Sequence, residues 1–292
     1  MEGAKQVKIT KDIRLYVLGA GKVGMSIVQA FAQQGFKVTA IDVSEDNIKT
    51  GLDKIENNLN KLTDKGKFEK NQKEEILGRI RQSTNFEDLS DADVVIEAVF
   101  EDIDLKKKLF TQMDNCVISK EALLLTNTSS LSISAVASAT KRPESVAGMH
   151  FFNPVPVMKL VEIVRGVETS DKTVEKAREL AMLLNKSTIV SKDSPGFIVN
   201  RLLNALFIEA CRIVEEGVGT PRDIDTGLKL GLGHPNGPFE LVDNLDAIPL
   251  ILHVCEHMSD ELGSRFKPPV WIKNYEKAGR VGKSSKKGIY EY

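Results

Sequence analysis

Short apolar runs alternate with helical periodicity through the first half of the chain, and the alternation then gives way to helices alone. Compact apolar stretches at 15–18, 37–43, 93–100 and 122–126 predict buried strands. Between them, apolar residues recur at helical spacing at 25–34, 101–113 and 131–139. The charged stretch 45–82 reads as a solvated amphipathic helix pair broken at Gly66. Strand and helix in alternation over this length predict a doubly wound parallel sheet. Two further extended runs, VAGMHFF at 146–152 and KLVEIV at 159–164, flank a turn containing Asn153, Pro154 and Pro156. They are long enough to pair as an antiparallel hairpin, which would bring Glu162 back beside His150. From about Ser191 only helical patterns follow, at 200–217, 223–230, 240–247 and 251–262. The Ser194-Pro195-Gly196 punctuation places a domain boundary there, giving an α/β domain over 1–193 and an all-helical domain over 194–292.

The first strand leads directly into Gly19-Ala20-Gly21-Lys22-Val23-Gly24 and then a helix. In this context Gly19 permits the tight turn, Gly21 the approach of a pyrophosphate, and Gly24 the close packing of helix on strand. The helix N-terminus offers amides and a positive dipole end to phosphates. Asp42 ends the second strand at about the 20-residue spacing that the dinucleotide fingerprint requires. Its carboxylate would accept the ribose hydroxyls and repel a 2′-phosphate, and no arginine follows, so the cofactor expected is NAD. The N-terminal domain therefore reads as a Rossmann-like NAD-binding domain. A carboxylate held against His150 would make the imidazole a general base, while the same pair would also serve as a satisfied core contact. The hairpin alone leaves both readings open.

With 40 basic and 41 acidic side chains the net charge is −1, which gives no footprint for nucleic acid or an anionic membrane. Cys116, Cys211 and Cys255 lack metal or disulfide spacing and suit a reducing cytoplasm. The polar start has no apolar core of a signal peptide, and no run approaches the ~20 apolar residues that cross a bilayer. His253 to His257 fits an H-x-x-E-H zinc pattern, but no third ligand stands in context, so no metal is expected.

Three motifs occur in order: VLGAGKVG with Asp42, NTSSLSI at 127–133, and HFFNPVPVMKLVEIV followed by DSPGFIVNRLL at 193–203. Together they resemble the L-3-hydroxyacyl-CoA dehydrogenase family, including its stand-alone 3-hydroxybutyryl-CoA dehydrogenases. The resemblance runs on through GLGHPNGPFELVDNLD to the terminal GIYEY. It implies reversible oxidation of an (S)-3-hydroxyacyl-CoA with hydride passing to NAD, and a homodimer formed through the helical domain. It further implies that His150 is the catalytic base, that Glu162 orients it, and that Ser129 and Asn200 bond the substrate's oxygens. Glu101 and Lys106 match contacts to the nicotinamide end of the cofactor, with Asn127 and Asn153 in the same lining. Lys65 falls near the family's lysine for the CoA phosphates. The tail departs from the pattern: Ser284 stands where the family places a cofactor-reaching lysine, leaving Lys283 and Lys286 as neighbouring candidates.

Two rivals remain: a hydroxyacid or sugar-acid dehydrogenase of the same architecture, and a non-catalytic NAD- or CoA-binding protein. NTSSLSI and the long histidine motif resemble the acyl-CoA branch and speak against the first. The presence of His150, Glu162 and Asn200 together speaks against the second.

Overall fold

A computed structural model describes residues 9–292, so the start of the polar N-terminal segment, read above as lacking a signal peptide, lies outside the described residues. The chain divides into two compact units, one ending at Asp193 and the other spanning Ser194–Tyr292. Among the described residues the first unit forms an eight-stranded sheet. Its strands are β1 (Leu15–Leu18), β2 (Val38–Ile41), β3 (Ile80–Ser83), β4 (Val94–Glu97), β5 (Leu123–Thr126), β6 (Val146–Phe151), β7 (Leu160–Arg165) and β8 (Ser187–Lys192). The order across the sheet is β3-β2-β1-β4-β5-β6-β7-β8. The first six run parallel; β7 turns back antiparallel on β6, and β8 follows β7 in parallel. The helices of this unit are α1 (Lys22–Gln33), α2 (Glu45–Asp64), α3 (Lys70–Gly78), α4 (Ile103–Cys116), α5 (Ile133–Ala137) and α6 (Asp171–Leu183).

Every residue of β4 and β6 is buried, which is why these central strands read as apolar runs interrupted only by Glu97 and His150. α2 follows the opposite rule: it buries only Ile48, Gly51, Ile55 and Leu59, one stripe at helical spacing, and exposes its lysines. Ser44 caps it by accepting the Asn47 N–H at 3.2 Å. At Gly51 a Cβ would lie 2.3 Å from Met25 Cγ, so any side chain there would have to displace Met25 from between α1 and α2.

Three elements differ from the sequence expectation. The charged stretch does not stay helical to Gln82, because Ile80–Ser83 forms the edge strand β3 on β2. Apart from Ile80, which packs on the core, its side chains are polar, so no hydrophobic alternation announces the strand. The segment after the hairpin carries α6 and β8, two elements beyond those expected. α6 buries Val174, Ala177, Leu180 and Ala181 in the cluster that includes Met149, Val161 and Ile163, covering the back of the hairpin. The antiparallel return of β7 on β6 is the hairpin expected from the sequence.

The second unit holds α7 (Val199–Glu215), α8 (Pro221–Leu232), α9 (Pro238–Asn244), α10 (Ile248–Leu262) and α11 (Val270–Lys277) around a core of Phe207, Phe239, Leu252 and Ile272. Two buried aspartates fasten its end. Asp225 accepts the Phe239 and Glu240 N–H groups and, at 2.6 Å, the Tyr290 hydroxyl. Asp243 accepts the Ile289 and Tyr290 N–H groups. Burial raises the Asp225 pKa by more than its hydrogen bonds lower it. In the tail, Ser284 N–H donates to Asp246 Oδ1 at 2.7 Å, and the Lys283 ammonium lies 5.5 Å from the Tyr292 ring centroid. Lys286 adopts a left-handed backbone with φ 58°. Among the described residues no group of three or more His, Cys, Asp or Glu could hold a metal, and no helix is long and apolar enough to cross a membrane.

Candidate active site

The hairpin sets the centre of the site. β6 and β7 pair in a register that puts His150 opposite Glu162, so both side chains stand on one face of the sheet. Glu162 Oε2 lies 3.1 Å from His150 Nδ1, with Glu162 0% and His150 5% exposed. A carboxylate so far from water persists only with partners, and an imidazole N–H is such a partner. With Nδ1 donating, the neutral tautomer carries its lone pair on Nε2. The Phe152 ring packs against the imidazole, tilted by 48°, at 4.6 Å between ring centroids.

The turn that joins the two strands is anchored from outside. Lys186, 7% exposed, donates from Nζ to the Val155 carbonyl at 2.6 Å and the Met158 carbonyl at 2.5 Å. Ser26 Oγ on α1 accepts the Val155 N–H at 3.1 Å. Burial lowers the Lys186 pKa. Neither anchor carries a sequence motif, because only the fold brings them to the turn.

The loops after β4 and β5 meet beside the hairpin. Asn127 Oδ1 accepts the Phe151 N–H at 2.9 Å, which ties its loop to the residue after His150. Glu101 Oε1 accepts the Thr128 hydroxyl at 2.5 Å, the Ser129 N–H at 3.0 Å and the Ser130 hydroxyl at 3.2 Å. At its other end the loop is held by Asp193, which accepts the Ser132 hydroxyl and the Ile133 and Ser134 N–H groups. Burial works to raise the Glu101 pKa, but the Lys106 charge and these hydrogen bonds outweigh it and hold the carboxyl below its ordinary value. Lys106 is 1% exposed, and its ammonium sits 2.6 Å from Glu97 Oε1 and 3.4 Å from Glu101 Oε2. Glu97, a functional candidate that the motifs do not single out, is 0% exposed and also accepts the Thr126 hydroxyl and the Val99 N–H, each at 2.7 Å. An acid inside a run as apolar as DVVIEAVF was the available signal.

The glycine-rich turn is shaped for a dinucleotide. Gly19 has φ 106°, and a Cβ there would meet the Ala98 carbonyl oxygen at 2.7 Å; one on Gly24 would meet the Gly19 carbonyl oxygen at 1.9 Å. Beside Gly21 a Cβ would touch nothing, so open space borders the backbone where a pyrophosphate approaches. Gly21 is also the N-cap of α1 and leaves the first-turn amides without a side-chain cap. Lys22 is exposed there and Val23 half-buried. Asp42 Oδ2 accepts the Ala20 N–H at 2.7 Å, while Oδ1 accepts the Ser44 N–H and the Asn47 side chain. The carboxylate is thus aimed across the glycine turn, and these residues fit NAD.

A groove of about 910 Å³ opens alongside, between α1, α2 and the proline turn. Lys22, Lys54, Lys61 and Lys65 line it, with Asn153 and Pro154 on the opposite wall. The spacing of Lys54, Lys61 and Lys65 on one helical face was visible in the sequence, whereas their facing a groove was not. Within the first unit the structure brings together His150, Glu162, Asn127 and the Ser129 loop, and sets Asn153 with Lys22 and Lys65 on the groove. Asn200 belongs to the second unit, in the first turn of α7, and its carbonyl accepts the Asn204 side chain at 2.6 Å. It does not cap the helix, because Ile198 holds that position.

Residues 14–194 match the family model of the 3-hydroxyacyl-CoA dehydrogenase NAD binding domain, and 196–292 match that of the 3-hydroxyacyl-CoA dehydrogenase C-terminal domain. The 3-hydroxybutyryl-CoA dehydrogenase of Clostridioides difficile is 41% identical over 281 residues, covering 96% of this chain and 99% of that protein. The mitochondrial hydroxyacyl-coenzyme A dehydrogenase of Sus scrofa is 39% identical over 285 residues, covering 94% and 90%. The crystal structure of (S)-3-hydroxybutyryl-CoA dehydrogenase from Ralstonia eutropha superposes with a TM-score of 0.92 at 39% identity, covering 96% of this chain and 99% of that one. The chain belongs to the 3-hydroxyacyl-CoA dehydrogenase family, as an NAD-dependent oxidoreductase that interconverts (S)-3-hydroxyacyl-CoA and 3-oxoacyl-CoA.

Proposed function

We propose that His150 is the general base of this reaction and that the substrate is short, of 3-hydroxybutyryl-CoA size. The 3.1 Å contact between His150 and Glu162 carries the first part. The names of the Clostridioides difficile and Ralstonia eutropha relatives support the second. NAD, when bound, supplies the hydride acceptor. His150 takes the proton of the 3-hydroxyl at Nε2, and Glu162 stabilises the imidazolium through Nδ1. Ser129 and Asn200 hold the 3-oxygen and the thioester carbonyl, limiting the poses from which C3 can react. In the reverse direction the imidazolium returns the proton to the 3-oxo group.

Gly19, Gly21, Lys22, Val23 and Gly24 receive the pyrophosphate, and Asp42 the adenosine ribose. Glu101, Lys106, Asn127 and Asn153 line the nicotinamide half. Lys65, with Lys54 and Lys61, faces the phosphates of CoA across the groove. On this reading residues 1–193 form the NAD-binding domain and 194–292 the substrate and dimerisation domain. Leu202, Leu230, Leu232 and Leu250 are exposed apolar side chains of the helical unit and support a homodimer formed through it. A cytoplasmic location fits the three free cysteines.

The test is NADH oxidation with acetoacetyl-CoA, run beside NADPH and beside free acetoacetate. Turnover confined to NADH with the CoA ester is expected. Comparable activity on the free acid would overturn the substrate assignment in favour of a hydroxyacid dehydrogenase, and a protein that binds NADH without turning over either would be a binding protein.

A further inference from the structure

The mechanism above uses Glu101 and Lys106 but leaves Glu97 without a role. A carboxylate that is 0% exposed, paired at 2.6 Å with an ammonium that is 1% exposed, is a costly arrangement. An apolar pair of similar volume would hold β4 to α4 at least as well. The charges also have a particular place. Glu97 ends β4 and Glu101 opens the segment that follows, next to the loop after β5 that carries Ser129. In a doubly wound sheet the adenosine half of a dinucleotide lies over the first strands, and the nicotinamide half over the carboxyl ends of the second set. Asp42, on β2, marks the first half, and His150, on β6, must stand beside the carbon that loses hydride. Glu97, Lys106 and Glu101 therefore lie on the nicotinamide side.

Two carboxylates and one ammonium leave this trio with one net negative charge; Glu97 and Lys106 are buried, while Glu101, 37% exposed, carries that charge at the edge of the protein. Oxidised nicotinamide carries a positive charge on its ring and reduced nicotinamide does not. We infer that Glu97 is a positioning and charge-balancing residue: its carboxylate neutralises Lys106, so that the charge of Glu101 remains uncompensated and favours NAD⁺ over NADH at the site. The inference rests on the assignment of Glu101 and Lys106 to the nicotinamide half.

The measurement is the ratio of dissociation constants, Kd(NAD⁺)/Kd(NADH), from equilibrium titration of the full-length protein, with no turnover involved. One unit charge acting over ~10 Å at an effective dielectric constant of ~20 moves such a ratio roughly tenfold. Glu97→Gln sets the trio's charge to zero and is expected to raise the ratio roughly tenfold. Lys106→Met makes the charge minus two and is expected to lower it by a similar factor. The double variant Glu97→Gln/Lys106→Met restores one negative charge, and its ratio is expected to return to within about twofold of the parent value. It also removes the unpaired buried charge, so it gives a folded reference if a single variant fails to fold. A purely structural pair would change both affinities together and leave the ratio still. A ratio that does not follow net charge among the folded variants, or that stays displaced in the double variant, would overturn the inference. If the parent enzyme turns over acetoacetyl-CoA while the ratio ignores charge, only this inference fails. A parent protein that binds neither nucleotide would remove the reading beneath it.

Discussion

Replacing Glu162 with glutamine tests the hairpin's chemistry with a change of a single atom. The amide is isosteric with the carboxylate, and its oxygen can still accept the Nδ1–H across the 3.1 Å contact. The tautomer of His150 is therefore retained. The charge that stabilises the imidazolium is lost. A hydrogen bond to a charged group contributes about 1.5–3 kcal/mol against about 0.5–1.5 for a neutral one. The transition state, in which His150 gains positive charge, thus loses about 1–2 kcal/mol from the bond and further Coulomb stabilisation in a site where Glu162 is 0% exposed. A total near 3 kcal/mol corresponds to a fall in kcat of roughly 100-fold. Stability should not fall in step, since a buried carboxylate facing a neutral imidazole costs desolvation that the amide avoids. The assay is steady-state NADH oxidation with acetoacetyl-CoA, accompanied by NADH titration and thermal melting. A kcat within twofold of the parent would refute the reasoning. So would a loss of activity accompanied by an equal loss of folded protein, because the pair would then be structural.

Three other outcomes follow from separate parts of the molecule. Asp42→Asn should weaken NADH binding by about tenfold and narrow the preference over NADPH, because the acceptor aimed past Ala20 loses its charge; titration with both nucleotides checks this, and an unchanged preference would mean that Asp42 does not read the ribose. Lys286→Gly should stabilise the protein by about 1 kcal/mol, since Lys286 sits at φ 58°, and a melting temperature unchanged or lowered would count against strain there. For Asp114, burial raises the pKa, but the Lys141 N–H and Arg142, each at 2.6 Å, outweigh it and hold it below the ordinary 3.8. A lowered carboxyl pKa gives stability that is fully present above the unfolded value and lost as pH falls through the folded one. Denaturation at graded pH should therefore show Asp114→Asn with a flatter stability slope below 3.8 than the parent; parallel slopes would contradict the assignment.

The parts of the fold that bury apolar residues periodically could be read from the sequence. The glycine turn, the helix after it and the strand ending at Asp42 are local patterns, and the hairpin register that pairs His150 with Glu162 followed from run lengths and a proline turn. The boundary at Ser194 was marked by serine, proline and glycine. The polar edge strand at Ile80–Ser83, which meets the core only at its first residue, left no such mark. Residues that act on a site from elsewhere in the chain were also hidden. Lys186 reaches the proline turn from the start of β8, and Asp193 reaches the Ser132 loop across 61 positions. Glu97 lay within a run whose apolar neighbours disguised it.

The central claim is that His150 moves the proton, and one variant tests it most directly. His150→Gln should bind NADH as the parent does, because the imidazole belongs to no part of the dinucleotide cradle. Its turnover of acetoacetyl-CoA should fall by at least about 1,000-fold, the loss expected of a missing acid–base group in a site that still binds. Turnover within tenfold of the parent, by a folded variant that still binds NADH, would contradict the account.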